Sequence, residues 1–387
     1  MCGIVGIYNF SNNKKINKSE LKIFNNSLKH RGPDGENYFY SEDERLGFGH
    51  RLLKIMDISN DSIQPFRDLE NNYILIYNGE IFNFKDLKNQ LTLKNYTFRT
   101  NSDTEVFLNS YIEWGEKCFT MFNGMWAAAI WDKRNQKLIL TRDRFGEKPL
   151  YYLFKNNSLY FASEIKAFQH LKKNIKPNFE LNYLVEGNDV VNSENTFLKD
   201  VKNLKGGFNL IVQNKRMLIK RWWNTNDYIL EYQNLSKDKN QFFLDTFTDA
   251  CKIRNYSEAS RICTVSGGLD SSTIFYRLNE FKKTKGIFLN FDNLNKSDIY
   301  YKNIIQKNKE IIDQKILINK IETEDIENTI YSCENTHGIH LGPYFLYKKI
   351  KDLGYKVSID GHGCDELLGG YENYKKSTNF VPSSIID

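Results

Sequence analysis

The sequence predicts two domains of different class. A strand-rich α+β domain occupies roughly the first half, and an α/β domain with an open, mostly parallel sheet the second. Three observations predict this. Apolar runs separated by short polar breaks recur between Met125 and Ala167, the pattern of consecutive hairpins. From Gln241 to Asp360, short apolar strands alternate with helical stretches, as in parallel strands joined by helices. The 387 residues suffice for two domains of ordinary size, with the junction expected between about Asn192 and Asp227.

The elements follow in order. Gly3–Phe10 reads as a strand, and Leu21, Phe24 and Leu28 mark one face of a helix. Tyr73–Tyr77 and Glu80–Phe82 are strand-like and flank Asn78-Gly79. Asp103–Trp114 reads as a helix with Val106, Phe107 and Tyr111 on its apolar face. Trp126–Trp131, Leu138–Arg142, Leu150–Phe154 and Leu159–Ala162 are strands, with hairpin turns at Asp132–Gln136 and Lys155–Ser158. In the second half the expected helices are Gln241–Asn255, one after the Gly-rich turn at Ser266, Tyr300–Ile311 and Phe345–Leu353. The expected strands are Arg261–Val265, Gly286–Phe291, Lys315–Ile318 and Val357–Asp360.

Composition excludes several classes. Hydrophobic residues make up 40% and charged residues 26%, which suits a globular protein with sizeable cores. No run approaches the roughly 18 apolar residues of a membrane span, and Met1–Phe10 lacks the basic and apolar regions of a signal peptide. The net charge of +6 is spread over scattered lysines, so a solvated surface is expected rather than a nucleic-acid stripe. Cys2, Cys118, Cys251, Cys263, Cys333 and Cys364 form no close pairs, which points to reduced thiols in a reducing compartment, the cytoplasm.

The first chemical constellation centres on Cys2. Removal of Met1 before a small residue would leave a thiol beside a free α-amine, so one residue would supply nucleophile and base. An ordinary buried cysteine is the alternative. Asn78-Gly79 offers a carboxamide and a glycine N–H suited to an oxyanion hole, or else a hairpin turn. Arg51 could clamp a carboxylate, or be a surface ion-pair residue. Asp103 could hold an ammonium, or cap the helix that follows.

The conjunction resembles the class II glutamine amidotransferases over about 190 residues. The motifs are Cys2-Gly-Ile-Val-Gly6, His30-Arg-Gly-Pro-Asp-Gly35, His50-Arg51-Leu52, Tyr77-Asn-Gly-Glu-Ile81, Ser102-Asp-Thr-Glu-Val106, Arg142-Asp-Arg-Phe-Gly-Glu-Lys-Pro-Leu-Tyr-Tyr152 and Phe161-Ala-Ser-Glu-Ile-Lys166. The resemblance implies an N-terminal-nucleophile hydrolase fold of stacked antiparallel sheets between helices, with Cys2 as nucleophile and Asn78 and Gly79 as the oxyanion hole. Arg51 would take the glutamine α-carboxylate, with Glu80 and Asp103 near its α-amino group.

The second constellation is Ser266-Gly-Gly-Leu-Asp-Ser-Ser272, between an apolar strand and a helix. Gly267 and Gly268 let backbone N–H groups approach an anion, Ser266, Ser271 and Ser272 can donate hydroxyls, and Asp270 can hold Mg²⁺. No Walker Lys-Ser/Thr follows; the string resembles the PP-loop of ATP pyrophosphatases. Downstream, Gly361-His-Gly-Cys-Asp-Glu-Leu-Leu-Gly-Gly-Tyr371 supplies Asp365 and Glu366, which could complete a Mg²⁺ site with Asp270.

Together the halves resemble glutamine-hydrolysing asparagine synthetase, with a glutaminase domain over about 1–200 and a C-terminally short synthetase domain over about 225–387. The resemblance implies ATP, Mg²⁺, glutamine and aspartate as cofactors and substrates. Val265, Leu289, Asp360 and Gly361 would line the adenine and ribose site, and ammonia would travel through an internal channel to an acyl-AMP. Neither nucleic acid nor membrane is expected as a partner. Oligomeric state is left open, a homodimer included. Three departures stand out. His362 replaces the family's adenylation-site glutamate, as a base or as a spectator. The segment 334–342, with His337 and His340, lacks the acceptor-side Glu-Pro pattern. The chain also ends soon after Tyr371. Amidation of another carboxylate, such as a sugar acid, and a non-synthesising ammonia-donor or partner-binding subunit are the rival readings.

Overall fold

The structure is a computed structural model that describes residues 1–10, 14–56, 63–171, 174–179, 193–232, 238–291, 308–316, 321–334 and 341–370. It divides into two compact units, Met1–Asn224 and Thr225–Asp387. Among the described residues the first unit has strands β1 (Gly3–Tyr8), β2 (Gly35–Tyr40), β3 (Leu46–Leu52), β4 (Phe66–Arg67), β5 (Tyr73–Ile81), β6 (Gly124–Asp132), β7 (Lys137–Arg142), β8 (Tyr151–Lys155), β9 (Ser158–Ala162), β10 (Val201–Asn203), β11 (Phe208–Gln213) and β12 (Arg216–Arg221).

They form two six-stranded sheets, ordered β10-β8-β9-β1-β3-β2 and β12-β11-β7-β6-β5-β4. Every pairing between these strands is antiparallel. The sheets pack face to face. Ile4, Leu46 and Phe48 of the first meet Ile74, Ile76, Ala127 and Leu140 of the second in one cluster. Each large side chain fully buried there contributes roughly 1.5–3 kcal/mol of transfer free energy. The outer face of the first sheet, through Val5 and Ile7, is covered by Leu21, Phe24 and Leu28 of the helix Lys18–Asn26 and its exit. On the second sheet, the outward-facing Tyr77 packs against Phe107 of the helix Asp103–Trp114. This is the stacked antiparallel architecture between helices that the resemblance implies.

The hairpins expected at Asp132–Gln136 and Lys155–Ser158 are present. Gln136, Asn156 and Asn157 take positive φ there, as tight turns between right-twisted strands require. The turn expected as an alternative at Asn78-Gly79 is absent. β5 runs unbroken, with Asn78 opposite Ala127 and Gly79 opposite Trp126. The close approach of β6 explains the glycine: a Cβ on Gly79 would lie 2.2 Å from the Met125 carbonyl oxygen and 2.7 Å from the Trp126 Cα.

In the second unit the described strands β13 (Arg261–Thr264), β14 (Lys285–Phe291), β15 (Ile311–Ile316) and β16 (Val357–Ile359) form a parallel sheet ordered β15-β14-β13-β16. Helices Leu269–Phe281 and Leu341–Asp352 connect into it. One boundary differs from expectation. Most of the helix expected at Tyr300–Ile311 lies outside the described residues, and its last turn is replaced by the start of β15. There two β-branched isoleucines follow a turn at Lys309-Glu310. No helix among the described residues is long and apolar enough to cross a membrane.

Gly79→Ala is expected to lower stability by at least about 2 kcal/mol, because the clash is with backbone atoms that cannot rotate away. Gly35→Ala, where a Cβ meets only Leu52 side-chain atoms at 3.8 Å and beyond, is the near-neutral control. Thermal unfolding of both variants checks the contrast.

Candidate active site

Strand alternation selects the residues that meet at one end of the sheet sandwich. In β1 and β3, Ile4, Leu46 and Phe48 face inward, so Cys2 and Leu52 share that side; in β5, Ile74 and Ile76 face inward, so Asn78 and Glu80 do too. A cavity of about 60 Å³ opens where they converge, lined also by Met1, Asp103 and Lys148.

The Cys2 backbone is anchored from below. Arg31 donates through Nε to the Cys2 carbonyl at 2.9 Å and pairs with the buried Glu164 at 2.8 Å. Lys166 and His30 reach the same carboxylate, each at 2.9 Å. Burial alone would raise the Glu164 carboxyl, but His30, Arg31 and Lys166 together hold it at about 2. The pairing of His30-Arg31 with Glu164 and Lys166 was missed in the sequence, although both motifs were visible. A contact across 133 residues carries no local signal.

The thiol lies 3.4 Å from the Leu53 N–H, which donates to it, and 3.7 Å from the Leu53 carbonyl. Burial pushes the thiol pKa up against that N–H, and pushes the Met1 α-amine down to about 5. Asn78 is 1% exposed, and its Nδ2 has no hydrogen-bond partner among the described residues. A buried amide donor left unsatisfied is costly. At the wall of a cavity shared with a thiol, it suits a developing oxyanion.

Asp103 is buried, and its Oδ2 accepts from the Ile81 N–H and the Tyr77 hydroxyl, both at 2.9 Å. It does not cap its helix. Ser102 does, accepting from the Thr104 N–H at 3.2 Å, and this leaves Asp103 turned toward the cavity. Burial raises Asp103 to about 6; burial and the nearby Asp103 charge raise Glu80 to about 7.

Arg51 is not brought to this cavity. It has the opposite parity in β3 and faces the helix Lys18–Asn26. There it donates to the Asn25 carbonyl at 3.2 Å and to Asn26, and pairs across the strands with Glu36 at 2.5 Å. Leu52 holds the inward position at the cavity wall.

In the second unit, β13 runs into Val265, which is buried, and the loop Ser266–Gly268, where Gly267 takes φ +83°. Ser271 Oγ accepts from the Ser266 N–H at 3.0 Å, and the two hydroxyls lie 2.9 Å apart. Ser272 Oγ, at the start of the helix Leu269–Phe281, is buried without a partner among the described residues. That orphaned hydroxyl and the helix start suit a phosphate. Gly361, just past β16, lies against this turn: a Cβ on it would sit 3.2 Å from the Ser271 nitrogen and 3.3 Å from the Asp270 Cβ. Leu289, half-buried in β14, belongs to the neighbouring strand. Crevices at the carboxyl ends of parallel strands are where open α/β sheets hold ligands.

Asp360 accepts from the Tyr347 hydroxyl at 2.8 Å and pairs with His362 Nδ1 at 2.9 Å. Burial, then the Asp360 charge, raise the Tyr347 hydroxyl pKa. Asp270 and Asp365 both lie within electrostatic reach of Cys364, yet no group of three or more acidic, His or Cys side chains among the described residues is arranged to hold a metal. The expected trio of Asp270, Asp365 and Glu366 is therefore not assembled. Mg²⁺ is usually held by one or two carboxylates plus substrate phosphates, so Asp270 and Asp365 remain a fitting donor pair. His337, His340 and Tyr371 lie outside the described residues.

Residues 1–223 match the family model of a glutamine amidotransferase domain, and residues 243–383 that of asparagine synthase. Glutamine-hydrolysing asparagine synthetase 1 of Bacillus subtilis is 30% identical over 394 residues, covering 99% of this chain and 61% of its own length. A Methanocaldococcus jannaschii protein, provisionally named a glutamine-hydrolysing asparagine synthetase, is 32% identical over 410 residues, covering 96% of this chain and 76% of its own. Amidase chry2 of Gibberella zeae is 28% identical over 394 residues, covering 94% and 57%. The chain thus spans less than two thirds of the length of the first and third of these relatives.

The raised Glu80 carboxyl has a thermodynamic consequence. Between its ordinary value of 4.5 and about 7, the folded chain holds a proton that the unfolded chain releases. Stability from this group therefore falls as pH rises through that window. Glu80→Gln should be neutral at pH 4 and stabilising at pH 8, by on the order of 2 kcal/mol. Thermal unfolding at the two pH values checks this.

Proposed function

The chain belongs to the asparagine synthetase family of glutamine amidotransferases, and we propose that it hydrolyses glutamine at Cys2 and uses the ammonia to amidate aspartate activated by ATP. The observation that carries the first step is the convergence of the Cys2 thiol, the unpartnered Asn78 amide and two carboxylates on one cavity.

Removal of Met1 frees the α-amine of Cys2, whose ordinary pKa is about 8, and takes away one of the side chains that line the cavity. The amine takes the thiol proton as sulfur attacks the side-chain amide carbon. Asn78 Nδ2 and the Gly79 N–H stabilise the oxyanion, where one donor is worth roughly 3 kcal/mol. Ammonia leaves, and water cleaves the thioester to glutamate. Glu80 and Asp103 receive the substrate's α-ammonium.

At the second site, the Ser266–Ser272 turn holds the ATP phosphates, with Val265, Leu289, Asp360 and Gly361 beside the nucleoside. Asp270 and Asp365 would hold Mg²⁺, which would supply neutralisation of phosphate charge. The acceptor carboxylate becomes an acyl-AMP with release of pyrophosphate, and ammonia displaces AMP. Asp360 orients His362 through Nδ1, leaving Nε2 as a base at this site. Six unbridged cysteines fit a reducing, cytoplasmic setting.

A second reading, amidation of a carboxylate other than aspartate, is favoured by His362 standing where the family has glutamate, and by likeness to a relative named as an amidase.

Cys2→Ala should abolish glutamate release from glutamine while ammonia-supported amidation continues; loss of both would contradict separate sites. Acceptor-dependent exchange of pyrophosphate into ATP tests the substrate. Aspartate should support it; exchange with another acid and none with aspartate would favour the second reading.

A further inference from the structure

Strand alternation sends the N–H groups of Tyr77, Gly79 and Ile81 to the edge of β5 that faces away from β6. β4 covers this edge only opposite Ile74 and Leu75. Beyond it, side chains take over. Gln64 Oε1 accepts from the Tyr77 N–H at 2.5 Å, and Asp103 Oδ2 accepts from the Ile81 N–H at 2.9 Å. Gly79 sits between them, and among the described residues nothing accepts from its N–H. Trp126, opposite Gly79, is turned the other way. Its N–H donates to Asp143 Oδ2 at 3.1 Å, and its carbonyl accepts from the Asp143 N–H at 2.9 Å. The edge therefore leaves its Gly79 donor unclaimed at the wall of the Cys2 cavity, beside Asn78.

Gln64 is 4% exposed and lines the same cavity. Its Nε2 lies 3.5 Å from Thr104 Oγ1, in the first turn of the helix that also carries Asp103. The Gln64 amide thus ties β5 to that helix on one side of Gly79, as Asp103 does on the other. Without Gln64 Oε1 the Tyr77 N–H would be buried and unpartnered, a cost that a twist of the strand end relieves. The twist would carry the Gly79 N–H with it. An oxyanion hole stabilises charge only while its donors are held in place beforehand. We propose that Gln64 is a positioning residue for amide hydrolysis: it closes the Tyr77 N–H and holds the β5 edge so that the Gly79 N–H meets the developing oxyanion. This rests on the glutaminase reading above.

The test measures glutamine hydrolysis by the full chain with Met1 removed. Gln64→Met, which keeps the size and loses the acceptor, should lower kcat about 10- to 100-fold, somewhat less than outright loss of an oxyanion donor. KM should change less than about 3-fold, because the lost interaction is made only in the transition state. The γ-aldehyde of glutamate, to which the thiol adds as a tetrahedral thiohemiacetal, should bind more weakly by the same factor as kcat falls. Alkylation of Cys2 by iodoacetamide, which develops no oxyanion, should keep its wild-type rate. Gln64→Asn, one methylene shorter, should show the same pattern and serves where Gln64→Met does not fold. An unchanged kcat in a folded variant, a rise in KM alone, or an equal loss of iodoacetamide reactivity would overturn the proposal. A wild-type chain that does not cleave glutamine would overturn the glutaminase reading, and the proposal with it.

Discussion

Every second residue of a strand faces the same side, and in the first unit this alternation decides the chemistry. Two antiparallel sheets press their inner faces together through Ile4, Phe48, Ile76 and their neighbours. Where the apolar side chains run out at one end, the next inward positions are Cys2, Leu52, Asn78 and Glu80. A slip of one residue in either β1 or β5 would turn the thiol or the amide away from the cavity. The register is held by packing that cannot shift, above all the approach of β6 to Gly79.

Charge is handled in two opposite ways a short distance apart. Around one buried carboxylate, Glu164, stand Arg31, Lys166 and the His30 ring, and the carboxyl titrates far below its ordinary range. That cluster fixes the Cys2 backbone through Arg31. Inside the cavity, Asp103 and Lys148 are buried and Glu80 is half-buried, and the two carboxyls titrate above their ordinary range. Carboxyls raised in this way cluster at functional sites, where the desolvation cost is carried by the rest of the fold.

Much of this was legible in the sequence. The two-domain character, the hairpins of the first half and the helix Asp103–Trp114 follow from periodicity and turn residues, because those signals are local. The motifs around Cys2, Asn78 and Ser266 are visible for the same reason. What was not legible depends on long-range pairing. Asn78-Gly79 has the composition of a turn, and only its partner β6 makes it strand. Arg51 has the chemistry of a carboxylate clamp, and only the parity of β3 turns it away.

The central claim is that Cys2, as the N-terminal residue, attacks the side-chain amide of glutamine. The most direct measurement is peptide mass spectrometry after exposure to a diazoketone analogue of glutamine. The account predicts one adduct, on Cys2 of a chain lacking Met1, that excess glutamine suppresses. An adduct on another cysteine, or an unmodified Cys2 in a chain that still hydrolyses glutamine, would contradict it.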